Sequence, residues 1–177
     1  MEQHHWVEQV RSGDQFAFRQ FYEAYANGAI RIASAITRNR ELAKDAVQET
    51  FIRVFRQIDS YNPTLPFDPW FYRILTNECL RLINKETSLV KVEPSNLDDN
   101  PALVEKSFDQ LSDLYDIIQS LDDLHRIPLI LKYIKGFSEK EIADILQLNQ
   151  NTLKSRLFKA RKHLKMLLDP HGEEDVT

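Results

Sequence analysis

The stretch SEKEIADILQLNQNTLKSRLFKARKHL, residues 138–164, decides how the chain around it is read. Ser138 followed three residues later by Glu141 forms a capping box, in which the serine accepts from a backbone N–H of the first turn and the glutamate returns the bond. It opens a short helix whose apolar residues are Ile142, Ala143, Ile145 and Leu146. A turn at 147–149 leads to a longer helix over about 150–168. There Leu153, Leu157, Ala160 and Leu164 recur at helical spacing and form the packing face. A short capped helix, a tight turn and a longer helix predict a helix-turn-helix.

The longer helix is basic. Residues 149–168 hold Lys154, Arg156, Lys159, Arg161, Lys162 and Lys165 and no acid. Its first turns present Asn151, Thr152, Lys154, Ser155, Arg156, Phe158 and Lys159, side chains that reach base edges and phosphates when a helix N-terminus enters a major groove. A charged face is often only a solvated one, but the lack of any acid here points to a polyanion. Phe158 lies about 100° round from Leu157 and off the packing stripe. It serves either as a contact for a thymine methyl or as packing for a neighbouring helix. Arg161, Lys162 and Lys165 fit phosphate contacts or plain solvation.

A net charge of −4 argues against nucleic acid only until its distribution is seen. Residues 1–90 carry 11 basic and 11 acidic side chains, residues 91–130 carry 3 and 9, and residues 131–177 carry 9 and 7. The acidic middle masks the basic helix. That middle, with Pro94, Asn96, Asp98, Asp99, Asn100 and Pro101, reads as a flexible linker over 89–107. A helical domain follows over 108–170 and a solvated tail over 171–177. Within that domain, helices are expected at about 108–120 and 124–133, the latter ended by Gly136.

Before the linker, residues 1–88 read as a second helical domain. Asp14 caps a long helix carrying Phe18, Phe21, Tyr22, Tyr25, Ile32, Ala33 and Ile36 at helical spacing. A helix over 41–58 buries Leu42, Ala43, Ala46, Val47, Phe51, Val54, Phe55 and Ile58. Its opposite face shows Asp45, Gln48, Glu49, Ile52 and Arg53, where an exposed isoleucine among polar residues marks a docking surface. The loop SYNPTLP (60–66) contains two prolines. Asp68 before Pro69 then caps a helix to about Glu86, on which Phe71, Ile74, Leu75, Cys79, Leu82 and Ile83 face inward. Arg73, Asn77 and Arg81 line one polar face of it beside the loop. Such a loop, beside basic and aromatic residues, suits an unpaired base. Phe67, Trp70 and Phe71 read as core.

The fold class is therefore all-α, two small helical domains joined by a linker. No apolar run reaches the roughly 18 residues of a membrane span, and MEQHHWVEQVRSGD lacks the order of a secretory leader. A single cysteine, Cys79, fits a reducing cytoplasm. His4, His5, His125, His163 and Cys79 show no metal-ligand spacing, and neither a nucleophile elbow nor a glycine-rich phosphate loop occurs. No catalytic residue, cofactor, metal or small-molecule substrate is expected.

ELAKDAVQETFIRVFRQID (41–59), PFDPWFYRILTNECLRLINKE (66–86) and SLDDLHRIPLILKYIKGFSEKEIADILQLNQNTLKSRLFKARKHL (120–164) together resemble the extracytoplasmic-function (ECF) group of the sigma-70 family, in the order region 2, linker, region 4. The resemblance covers nearly the whole chain. It implies an RNA polymerase sigma factor whose Asp45, Gln48, Glu49, Ile52 and Arg53 dock on the clamp helices of the polymerase largest subunit. It implies a minus-ten reader made of Ser60, Tyr61, Asn62, Arg73, Asn77 and Arg81, and a minus-thirty-five reader on the last helix. It also implies an anti-sigma factor, commonly membrane-bound, as a partner beside core polymerase and promoter DNA. Two positions depart from the family pattern: Asn151 stands where glycine is frequent, and Pro69 where a non-proline is common. A stand-alone helix-turn-helix regulator explains residues 120–168 equally well but leaves the N-terminal surface without a task.

Overall fold

The chain enters the fold through α1 (His5–Arg11), a short helix that buries Val7 and Val10 and that the sequence pattern does not announce. The structure, a computed structural model, describes residues 5–90 and 109–168. The tail at 171–177 and the expected linker beyond residue 90 lie outside the described residues. Asp14 caps α2 (Gln15–Thr37) as expected: Oδ1 accepts from the N–H groups of Phe16 and Ala17 at 2.8 and 3.2 Å. Asn39 does the same for α3 (Arg40–Gln57), accepting from Glu41 and Leu42 at 2.9 and 3.2 Å. A single 3₁₀ turn, Ile58–Ser60, leads into the loop.

The last helix of this unit, α4 (Phe67–Val90), begins before Pro69 and outruns Glu86. Asp68 is therefore not its cap but part of its first turn, where it accepts a hydrogen bond from Tyr25 Oη at 2.5 Å. Burial and this bond together push the Tyr25 phenol up. Pro69 is tolerated because a first-turn N–H has no helical partner to lose. At the other end the helix continues past the apolar periodicity, with the Thr87 and Ser88 hydroxyls bonded back onto the carbonyls of Ile83 and Asn84 at 2.9 and 2.8 Å.

Aromatic rings fill the core of α2–α4. Phe21 sits among Tyr25, Phe51, Phe67 and Phe71 with centroids 5.0, 5.2, 5.6 and 5.8 Å away, mostly edge-on as the ring quadrupole prefers. Gly28 lets α2 approach α4, since a Cβ there would stand 3.0 Å from Tyr72 Oη. Phe55, expected in the core, turns outward instead, as does Tyr22 of the α2 apolar stripe. Tyr22 is 48% and Phe55 51% exposed; they line an open groove of about 1230 Å³ between α2 and α3 with Phe18, Ile30 and Ile52.

The second unit comprises α5 (Asp109–Ser120), α6 (Asp123–Leu129), α7 (Glu139–Leu146) and α8 (Gln150–Leu168). After α6 the backbone widens into a π-helical turn, Ile130–Lys135. Pro128 has no N–H to continue the ladder and begins this departure from regular helix. Gly136, at φ 87°, closes it in the left-handed region. The core here is aliphatic: Ile127, Leu129, Ile130, Leu131, Ile142, Ile145, Leu153 and Leu157 are buried. Among the described residues every element is helical.

Candidate functional site

On α7 and α8 the helix-turn-helix forms as expected. The capping box is complete, with Ser138 N donating to Glu141 Oε2 at 2.8 Å. Gln147, at φ 54°, ends α7 in the left-handed region, and Asn149 Oδ1 accepts from Thr152 N at 2.8 Å to start α8. Leu153, Leu157 and Ala160 are buried against the unit, and Leu164 is half-buried. That fixes the opposite face. Asn151, Lys154, Ser155, Lys159 and Phe158 are exposed, Thr152 and Arg156 half so. Phe158 is 66% exposed, so it does not pack on a neighbouring helix and an apolar ring stands free on a basic face.

On α3 the predicted face is less uniform. Asp45 and Gln48 are exposed, Glu49 and Arg53 half-buried. Ile52, read as exposed, is half-buried because it forms part of the groove wall below Phe55. The exposed apolar surface of this helix is therefore Phe55, one turn of register away from expectation.

Arg53 also faces inward to a group the sequence reading passed over. Glu78 on α4 has only 3% of its side chain exposed, yet it is an acid, and Arg53 Nε stands 2.8 Å from its Oε1. Arg81 Nε donates to the other oxygen at 2.9 Å. One buried carboxylate thus carries an arginine from α3 and an arginine from the polar face of α4. Beside it the buried thiol of Cys79 is pushed up to about 12, by burial first and by Glu78 second. Arg73 and Asn77 are exposed on the same face as Arg81.

The loop holds a correction. Ser60 and Asn62 are exposed, but Tyr61 is only 2% exposed. Its ring packs on Phe67 and Trp70, each with centroids 5.2 Å away, and its hydroxyl donates to the carbonyl of Leu65. Tyr61 presents no side chain to a ligand; it ties the loop's two ends. Asn62 Oδ1 accepts from Thr64 N and Oγ1 at 3.0 and 2.8 Å, and Leu65 N donates to Asn62 O at 3.1 Å, leaving residues 62–66 exposed as a formed turn. The arrangement is completed from far away in sequence. Arg11 Nε and Nη2 donate to Ile58 O at 3.2 and 3.1 Å, and Nη2 donates to Tyr61 O at 2.5 Å. Nothing in residues 1–14 signals that role, because it is a contact across 47 to 50 residues.

Among the described residues no group of three His, Cys, Asp or Glu is placed to hold a metal, and no helix is long and apolar enough to cross a membrane. The surfaces are suited to binding: a basic helical face with one exposed ring, a pre-formed polar loop, and a mixed acidic and apolar helix face.

Sigma-70 region 2 matches residues 21–88 and Sigma-70, region 4 matches residues 111–164. The ECF RNA polymerase sigma factor SigE of Mycolicibacterium smegmatis is 31% identical over 173 residues, spanning 92% of this chain and 67% of that protein. The ECF RNA polymerase sigma factor SigW of Bacillus subtilis is 29% identical over 178 residues, 92% of this chain and 94% of its own. Among solved structures, CnrH in complex with the cytosolic domain of CnrY matches with TM-score 0.70 at 25% identity, over 95% of this chain and 97% of that one. The sigma factor RpoE in complex with the anti-sigma factor NepR, from Bartonella quintana, shares the fold at TM-score 0.76 and 24% identity, over 87% and 98%.

Proposed function

Because the chain belongs to the sigma-70 family, as a member of its extracytoplasmic-function group, we propose that it binds core RNA polymerase in the cytoplasm, directs it to particular promoters and helps open the minus-ten region. Domain 1–88 docks on the clamp helices of the largest subunit through Asp45, Gln48, Glu49, Ile52 and Arg53, with Phe55 added as the apolar anchor. Ser60, Asn62, Arg73, Asn77 and Arg81 meet the minus-ten element, and the loop receives a flipped base. Domain 108–170 reads the minus-thirty-five element with Asn151, Thr152, Lys154, Ser155, Arg156, Phe158 and Lys159, where Phe158 offers a thymine methyl an apolar partner. The chain carries out no chemistry of its own. Binding energy at two promoter elements and on polymerase offsets the opening of a few base pairs, each worth about 1–2 kcal/mol.

The observation that carries this reading is the acid-free exposed face of α8, held on a capped helix-turn-helix in the same chain as the α3–loop–α4 surface. An overall charge of −4 with one basic helix makes few phosphate contacts, so DNA binding alone is weak and becomes specific on polymerase. An anti-sigma factor, held at the membrane or free, competes for these surfaces. Run-off transcription with core polymerase on a promoter library tests the proposal: promoter-selective transcripts support it. Tight operator binding with no association with core polymerase would instead indicate a stand-alone regulator.

A further inference from the structure

Helix C-termini leave carbonyls without intrahelical partners, and a buried or half-buried end must find donors elsewhere. At the junction of α3 and the loop, Ile58 O, which also accepts from Tyr61 N at 3.2 Å, and the loop carbonyl Tyr61 O face the same guanidinium. Arg11 is the last residue of α1, and α1 is held down by Val7 and Val10, each 1% exposed. The helix thus aims a cation at the negative end of α3 and its 3₁₀ extension, a favourable charge placement as well as a hydrogen-bonded one. Arginine suits this because its fork supplies several donors in a fixed plane.

The consequence reaches the loop tip. With its carbonyl held by Arg11, Tyr61 is turned ring-inward onto Phe67 and Trp70, and its hydroxyl reaches Leu65 O. Between those two tethers, Asn62 closes the turn onto Thr64 and Leu65. The exposed tip is therefore fixed at both ends before any ligand arrives, and a receptor ordered in advance does not lose that conformational freedom on binding.

We propose that Arg11 is a positioning residue for promoter opening: it holds the 60–66 loop in the conformation that receives an unpaired base, without touching DNA or polymerase. This rests on the reading above that the loop is the minus-ten receptor. The proposed polymerase surface runs along α3 from Asp45 to Phe55 and ends one turn before Ile58, so recruitment and opening are told apart by measuring core and promoter affinity separately.

The test uses full-length protein assembled with core polymerase, on the strongest promoter found in the run-off library. Two fluorescent probes are compared: that promoter pre-melted, with its minus-ten element single-stranded, and a duplex carrying only its minus-thirty-five element. Arg11→Ala and Arg11→Gln should weaken the pre-melted probe about tenfold, the scale of losing charge-assisted hydrogen bonds that order the loop. Affinity for core polymerase and for the minus-thirty-five duplex should stay within about twofold on the same arithmetic. Arg11→Lys, which keeps the charge but not the fork, should fall between. Combining Arg11→Ala with Asn62→Ala should add little to Asn62→Ala alone, because both act through one loop. Unchanged pre-melted binding in Arg11→Ala, while Asn62→Ala weakens it, overturns the proposal and spares the loop reading. Equal loss of core affinity, thermal stability and both probes also overturns it, leaving Arg11 a general stabiliser. No effect from either substitution removes the loop as receptor, and this proposal with it.

Discussion

In the C-terminal unit the proposed contacts sit along one face of one helix, while in the N-terminal unit they come from α3, the loop and α4 and are held by bonds spanning the fold. Side-chain bonds of the C-terminal unit include the one from Arg126 to Gln119, seven residues apart. Those of the N-terminal unit include Arg11 to Tyr61, 50 residues apart, Tyr25 to Asp68, 43 apart, and the Arg53–Glu78 pair. The cores differ likewise, clustered rings in one and branched aliphatics in the other. A face on a helix follows from periodicity and capping alone. A loop held from three directions does not, and removing a distant support is expected to disturb it.

The strongest way to break that contrast is to remove the ring at its centre. Phe71 is fully buried against Phe21, Tyr25, Phe51 and Phe67. Phe71→Ala should cost about 3–5 kcal/mol and unfold the N-terminal unit alone. Cys79 offers a reporter, since a buried thiol whose pKa stands near 12 is protonated and shielded at neutral pH. Alkylation should be slow in the wild-type chain and fast in Phe71→Ala, while NMR signals of α7 and α8 keep their positions. Loss of both units together would mean that they fold as one.

A smaller effect is expected at Glu78. Glu78→Gln removes the shared anion and leaves Arg53 and Arg81 beside a neutral amide. A fully buried pair broken this way costs several kcal/mol, but these arginines are 39% and 47% exposed and turn to water. About 1–3 kcal/mol is therefore expected, read by urea denaturation. Because one arginine belongs to the proposed docking face and the other to the proposed DNA face, core affinity and pre-melted promoter affinity should both fall in Glu78→Gln. A change in only one would show that the two arginines act separately.

This contrast also explains what the sequence made legible. The helix-turn-helix needed only the Ser138–Glu141 box and the leucine spacing, both local signals, and every proposed contact on α8 lies at least partly exposed as read. In the other unit the helices are legible, but the pattern puts Phe55 in the core and Ile52 outside it, and the spacing of Tyr22 does not show that it faces outward. An aromatic on an amphipathic helix carries no mark distinguishing core from groove wall. The resemblance puts Tyr61 among the minus-ten contacts, whereas its ring packs inward on Phe67 and Trp70 and its carbonyl is held by Arg11, from a helix at the far end of the unit. Glu78 went unread because a buried acid declares itself only when its partners are known.

On the C-terminal side, single-residue tests should give smaller and cleaner changes. Lys154→Ala on the exposed face of α8 should weaken minus-thirty-five binding by holoenzyme nearly uniformly across sequences. It should reduce the salt slope of the affinity by about 1, the signature of one phosphate contact. Phe158→Ala should instead narrow the preference for thymine at one position and leave the salt slope alone. If Lys154→Ala changes sequence preference and not the slope, Lys154 reads a base.

The smallest effect concerns Asp122, which caps α6 and so supports the helix on which the helix-turn-helix rests. Its burial, the largest influence, pushes its carboxyl up, but the His125 backbone N–H at 3.1 Å and the His125 ring at 2.8 Å together outweigh burial and hold it below the ordinary carboxylate range. A carboxyl depressed in the folded state stabilises above the unfolded value, near 3.9, and loses that contribution as pH falls through the folded one. Asp122 is largely exposed, with 61% of its side chain accessible, so water screens most of the gain. Asp122→Asn keeps a capping oxygen and removes the titration. Acid unfolding of α6–α8, followed by circular dichroism from pH 5 downward, should therefore become less steep in the mutant near pH 4. The same substitution should leave Cys79 alkylation at neutral pH untouched. If alkylation changes with Asp122→Asn, the stability of one unit depends on a cap in the other, and the two cannot be treated as separate supports for their two surfaces.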